Sequence, residues 1–169
     1  KEKIWDPGDV QLVLGGLGQD SVRFKGGGVE WMLSFDRMMI SSAKADCGAL
    51  ASEILTRLPH TPIFATGANF VFQAPEITLE NSAVKSLSGS LLKDFKDPDL
   101  LKWSVLCHEE DVRVEVSFVC GDQGGSISVN RHRNTESTEI ALKVVSEFST
   151  DKVNSFALVE KLLKGIQQC

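Results

Sequence analysis

Val112-Arg113-Val114-Glu115-Val116-Ser117-Phe118-Val119-Cys120 puts an apolar side chain at every second position. A period of two is the repeat of a pleated strand, whose successive side chains point to opposite faces. The stretch therefore reads as a half-buried β-strand with Val112, Val114, Val116, Phe118 and Cys120 toward a core. Its neighbours repeat the pattern: Leu101, Trp103, Val105 and Cys107 before it, Ile127 and Val129 after it. Three such segments in succession predict an antiparallel meander.

Register follows from keeping apolar side chains together on one face. Setting Cys107 opposite Val112 leaves His108 to Asp111 as a four-residue loop and places Val105 opposite Val114, Trp103 opposite Val116 and Leu101 opposite Phe118. Setting Cys120 opposite Gly125 leaves a Gly121 to Gly124 loop and pairs Phe118 with Ile127 and Val116 with Val129. The same register then brings Arg131 opposite Val114 and Arg133 opposite Val112, on the core face. A guanidinium there needs a carboxylate, a phosphate or water, because a buried unpaired charge costs about 3–5 kcal/mol. Three readings are open: a bulge near Asn130 re-aims the arginines, they snorkel from the sheet end, or they line an anion-accepting pocket between sheet and helices with His132 assisting.

Outward from the meander, Val10 to Leu14, Val22 to Lys25 and Val29 to Phe35 read as strands separated by glycine turns, with Met38 to Ile40 as an extension. Asp46 is a candidate N-cap for a helix carrying Cys47, Leu50, Ala51, Ile54, Leu55 and Leu58, stopped by Pro59 and Pro62. Ile63 to Phe72 reads as a strand apolar on both faces, and Glu80 to Phe95 as a second helix through Val84, Leu87 and Leu91. Ile140 to Phe148 fits either a strand or a helix. A final helix capped by Thr150 would present Val153, Phe156, Val159, Leu162, Leu163 and Ile166 on one face. The expectation is an α+β fold: a mainly antiparallel sheet of two meanders, about seven or eight strands, with about three helices on one face, in a single domain over 1–169.

Function is less legible. A formal charge of -5 opposes non-specific binding to nucleic acid. No run of eighteen apolar residues marks a membrane span, and no signal segment is evident, so the expected location is cytoplasmic. The chain opens on Lys1 rather than Met, which leaves a removed leader open. Cys47, Cys107, Cys120 and Cys169 lack metal or redox spacing and read as reduced thiols, the first three in the core. Gly16-Leu17-Gly18 and Gly26-Gly27-Gly28 read as turns rather than phosphate loops, since neither is followed by a helix signal, and no cofactor motif stands out.

The dense group Cys107-His108-Glu109-Glu110-Asp111 reads as a solvated hairpin tip rather than a metal site, because consecutive side chains at a loop diverge while a metal needs converging ligands. In the register above, His108 and His132 share the polar face but lie roughly 12 Å apart. No nucleophile elbow or histidine pair announces catalysis. Two readings result. The first is a non-catalytic interaction or assembly module that self-associates through the open sheet face or an edge strand. The second is a small anionic-ligand-binding protein, or an enzyme on the same pocket, using Arg131, Arg133 and His132.

Overall fold

A computed structural model describes residues 11–14, 21–79, 84 and 100–168. The fold is α+β, and the described residues include three helices and two antiparallel sheets. Contacts divide the chain into two compact units, Lys1–His60 and Thr61–Cys169.

The first unit is a four-stranded meander, β1 (Gln11–Leu14), β2 (Ser21–Gly26), β3 (Val29–Ser34) and β4 (Met38–Ser42), followed by helix α1 (Cys47–Arg57). Register aligns Leu12, Phe24, Trp31 and Ile40 across its strands, and Phe24 stacks on Trp31 at 5.8 Å between ring centroids. Gly27 and Gly28 turn β2 into β3 with φ of 58° and 76°, the left-handed values a two-residue hairpin turn requires. As expected, Asp46 caps α1, its carboxylate accepting from the Ala49 amide at 3.0 Å. Arg57 pairs with Glu53 one turn back before Pro59 ends the element.

The second unit builds a sheet in the order β5-β8-β7-β6 from β5 (Ala65–Ala74), β6 (Leu100–Glu109), β7 (Val112–Gly121) and β8 (Gly124–Asn134). Helices α2 (Thr138–Ser146) and α3 (Phe148–Gln168) follow. The β7–β8 pairing is the expected one, with Cys120 opposite Gly125, Phe118 opposite Ile127 and Val114 opposite Arg131. The β6–β7 pairing is shifted by two residues: Cys107 faces Val114 rather than Val112, and Glu109 faces Val112. The hairpin is closed by Glu110 and Asp111 alone, with Glu110 at φ 54°. A shift of two preserves the faces, so the apolar set stays together while every cross-strand partner changes.

The covered face holds Val114, Val116, Phe118, Cys120, Ile127 and Val129, all buried, joined by Ala74, Ile77, Val84 and Val159. Phe70 packs on Phe148 and Phe72 on Phe156, so α3 rests on this face. Two glycines let the connection after β5 cross the β7–β8 turn. A Cβ on Gly124 would come within 2.8 Å of Pro75 Cα, and one on Gly125 within 3.1 Å of the Ile77 carbonyl. The segment from Thr61 to Phe64 is held by two buried threonines: Thr138 Oγ1 donates to the Thr61 carbonyl, Thr135 Oγ1 to the Ile63 carbonyl, and the Thr135 amide to that of Phe64.

Of the two readings of Ile140 to Phe148 the helix holds, up to Ser146, with Ser137 capping α2 by accepting from the Ile140 amide. Several expectations need correction. Thr150 is no N-cap; α3 already begins at Phe148, and the Asp151 amide bonds back to the Glu147 carbonyl. The buried stripe of α3 is Asp151, Ser155 and Val159, whereas Val153 and Phe156 are 67% and 52% exposed. Apolar spacing puts Val159, Leu162 and Leu163 on the core side, as the structure has them, but misses Asp151 and Ser155, the polar positions with which the stripe begins. β5 is an edge strand with one face open rather than buried on both, leaving Val71 exposed. The helix expected from Glu80 to Phe95 lies outside the described residues except for Val84, and the Gly15 to Gly18 turn lies outside them altogether. Of the cysteines expected in the core only Cys120 is fully buried; Cys47 is half-buried and Cys107, on an edge strand, is exposed.

Candidate functional site

Arg131 and Arg133 stand on the covered face, 4% and 8% exposed, and no bulge re-aims them: β8 pairs residue for residue with β5 from Gly125 to Asn134. Their charge is answered from within the chain. Asp151, itself 3% exposed, accepts from Arg131 Nε at 3.0 Å, from Arg133 Nη1 at 2.7 Å and from Arg133 Nη2 at 3.0 Å. Arg133 thus forks both carboxylate oxygens, the strongest geometry for such a pair. Arg131 Nη2 also donates to Glu109 Oε2 at 2.6 Å, and Glu147 Oε2 lies 3.6 Å from Arg133 Nη2. The hydrogen bond to Asp151, with attraction to Asp151, Glu147 and Asp111, holds the Arg133 pKa above its ordinary value against the opposing effect of burial.

Asp151 is positioned by α3, Glu147 by the helical turn before it and Glu109 by the end of β6. The network therefore fastens the start of the last helix to the sheet and to the β6–β7 hairpin. Neither Asp151 nor Glu109 was identified as a site residue from sequence. The available signal was Glu147, Asp151 and Ser155 at four-residue spacing, a polar stripe aimed at the two arginines. An open depression borders the network, lined by Glu109, Glu110, Asp111, Glu147 and Asp151 against Arg131, Arg133 and Lys143. Five carboxylates outnumber three cations there, and an anion reaching the arginines would have to displace Asp151 or Glu109.

His132 is not brought to this cluster. Lying between Arg131 and Arg133, it projects from the opposite face, where it sits across from Arg113. The corrected β6–β7 register also puts His108 across from Arg113, so the two histidines share one cross-strand row, roughly 10 Å apart from two strand spacings rather than a pleat repeat further. The hairpin-tip carboxylates do not converge with them, and no group of three or more metal-ligating side chains occurs among the described residues.

Among the described residues the sheet also ends on a long strand with no partner on its outer side. β6 is ten residues long and terminal in the strand order, with Leu100, Val105 and Leu106 at 59%, 52% and 50% exposure. Val105 and Leu106 point to opposite faces at the same edge. Among the described residues, no helix is long and apolar enough to cross a membrane. No family model, curated protein or solved structure matches the chain.

Proposed function

We propose that this protein is a non-catalytic interaction module that self-associates by pairing the outer edge of β6 with β6 of a second copy. The observation that carries the reading is that edge: ten residues of regular strand bearing three half-exposed large apolar side chains. An edge strand presents unpaired backbone donors and acceptors, and proteins that stay monomeric blunt such edges with charge, proline or bulges. From Trp103 to Cys107 the strand Trp-Ser-Val-Leu-Cys has none of the first two. Antiparallel pairing of two β6 strands about a two-fold axis would continue the sheet, and an even register would keep both covered faces on the same side.

The anion-pocket alternative has weaker support, because the donors of Arg131 and Arg133 are directed at Asp151, Glu109 and Glu147. Light scattering across a dilution series tests the proposal. The expected result is a mass that falls from dimer to monomer, and a Val105→Lys variant that is monomeric throughout with an unchanged circular dichroism spectrum. A wild-type chain monomeric at every concentration would overturn it, as would a Val105→Lys chain that dimerises normally.

A further inference from the structure

We infer that the open face of the second sheet carries a binding site for a phosphate dianion, free or as a small phosphomonoester, built from the cross-strand row His108–Arg113–His132. The inference is independent of self-association. Register places these side chains directly opposite one another on three adjacent strands, on the face not covered by α3. Directly opposed side chains have Cβ atoms roughly 5 Å apart, so an anion seated on Arg113 lies within reach of both imidazoles.

Arg113 is exposed and makes no ion pair with any described residue, in contrast to Arg131 and Arg133 on the other face. Its guanidinium offers a planar fork to two oxygens of an oxyanion. A carboxylate would be exhausted by that fork. A tetrahedral phosphate has further oxygens to present to N–H groups of the flanking histidines.

The fourth position of the row is Gly67, opposite His132 on β5. Packing does not demand glycine there. A Cβ would lie at ordinary distances, 3.5 Å from the Arg131 carbonyl and 3.8 Å from His132 Nδ1. The missing side chain leaves the floor beside His132 uncovered, where the organic part of a phosphomonoester can rest. Facing the row on the same side are Glu115, two residues along from Arg113, and Lys102 further down β6, with the Glu110–Asp111 turn above it. The adjacent carboxylates limit affinity, and a dissociation constant of about 1–10 mM for inorganic phosphate is expected, equivalent to some 3–4 kcal/mol.

The chain's three histidines make the test internal to one molecule, because His60 belongs to the other unit. Proton NMR of the histidine ring hydrogens is followed in the full-length protein as inorganic phosphate is added, with sodium chloride holding ionic strength constant. The expected result is saturable movement of the His108 and His132 signals with His60 still. Acetate should move them at least about tenfold more weakly at equal concentration, and Arg113→Gln should abolish the response. A parallel titration with glycerol 3-phosphate reads whether an esterified phosphate is accepted; failure of the ester with inorganic phosphate binding would overturn the Gly67 part. Equal movement of all three histidines, no movement, or a response surviving Arg113→Gln would overturn the site. A circular dichroism spectrum matching wild type in the unliganded variant would show that the substitution leaves the sheet intact.

Discussion

The covered face of the second sheet is filled in two ways at its two ends. At one, Phe118 and Ile127 face each other across β7 and β8, Trp103 sits 5.5 Å from Phe118 between ring centroids, and the space is filled by apolar side chains. At the other, the same alternation delivers Val114 opposite Arg131, and α3 answers with Asp151 instead of an apolar side chain. One pleat thus supports both a non-directional core and a directional one. The apolar end tolerates any side chain of suitable volume, whereas the charged end requires one carboxylate at one helix position. It thereby sets how α3 lies on the sheet.

The largest expected effect comes from breaking the charged end. Asp151→Ala leaves two buried guanidinium groups without their shared acceptor and should cost about 3–5 kcal/mol, comparable with about 3–5 kcal/mol for Phe118→Ala at the apolar end. Urea unfolding followed by tryptophan fluorescence measures both. The ends then part company. Replacing all three charged residues together, as Arg131→Met, Arg133→Leu and Asp151→Leu, removes the desolvation penalty along with the attraction and should restore most of the loss. A triple variant as unstable as Asp151→Ala would mean that the network contributes net stability, and the two ends would then not differ in what they add to stability.

This contrast also explains what could be read in advance. Alternation on β7 and β8 was legible because each strand has one buried and one open face, and the Cys120–Gly125 pairing followed from a single consistent apolar row. The β6 register was not, since a slip of two conserves every face and only the left-handed Glu110 chooses between a two-residue and a four-residue turn. That slip decides whether His108 joins Arg113 and His132. The burial of Arg131 and Arg133 was legible as a problem. Its solution lay in α3, whose inner stripe begins with Asp151 and Ser155 and is invisible to a search for apolar periodicity.

Ser155 sharpens the comparison at smaller scale. It lies one turn beyond Asp151 on the same stripe, fully buried, and its hydroxyl makes no hydrogen bond with the described residues. The charged end is satisfied and this position between the two ends is not. Removing a buried, unpartnered hydroxyl while keeping the small volume that lets α3 approach the sheet should be favourable. Ser155→Ala is expected to gain about 1 kcal/mol in the same urea assay. Ser155→Leu should lose about 1–3 kcal/mol through overpacking. A loss on Ser155→Ala would place the hydroxyl in the charged network's hydrogen bonding and extend that end by one helical turn.

The smallest effect separates the ends by pH. Cys120, at the apolar end, is fully buried with its thiol 3.3 Å from the Ile77 carbonyl, and burial, reinforced by the nearby negative charge of Asp122, pushes its pKa up. The folded thiol therefore holds its proton at pH values where the unfolded one, near the ordinary value of about 8.5, loses it. The stabilising contribution is complete below that pH and declines as pH rises toward the folded pKa, because the unfolded state then gains by ionising. The other thiols, Cys47, Cys107 and Cys169, are common to wild type and a Cys120 variant, so a difference in slope between the two reports Cys120. Cys120→Ala should lower stability through the lost volume, but its stability should fall less steeply than wild type between about pH 8 and 10. Asp151→Ala should leave that slope unchanged, since its partners are guanidinium groups charged across the whole range. Equal slopes for wild type and Cys120→Ala would show that the thiol ionises as readily folded as unfolded, which burial among apolar side chains forbids, and would erase the distinction between an apolar end and a charged one.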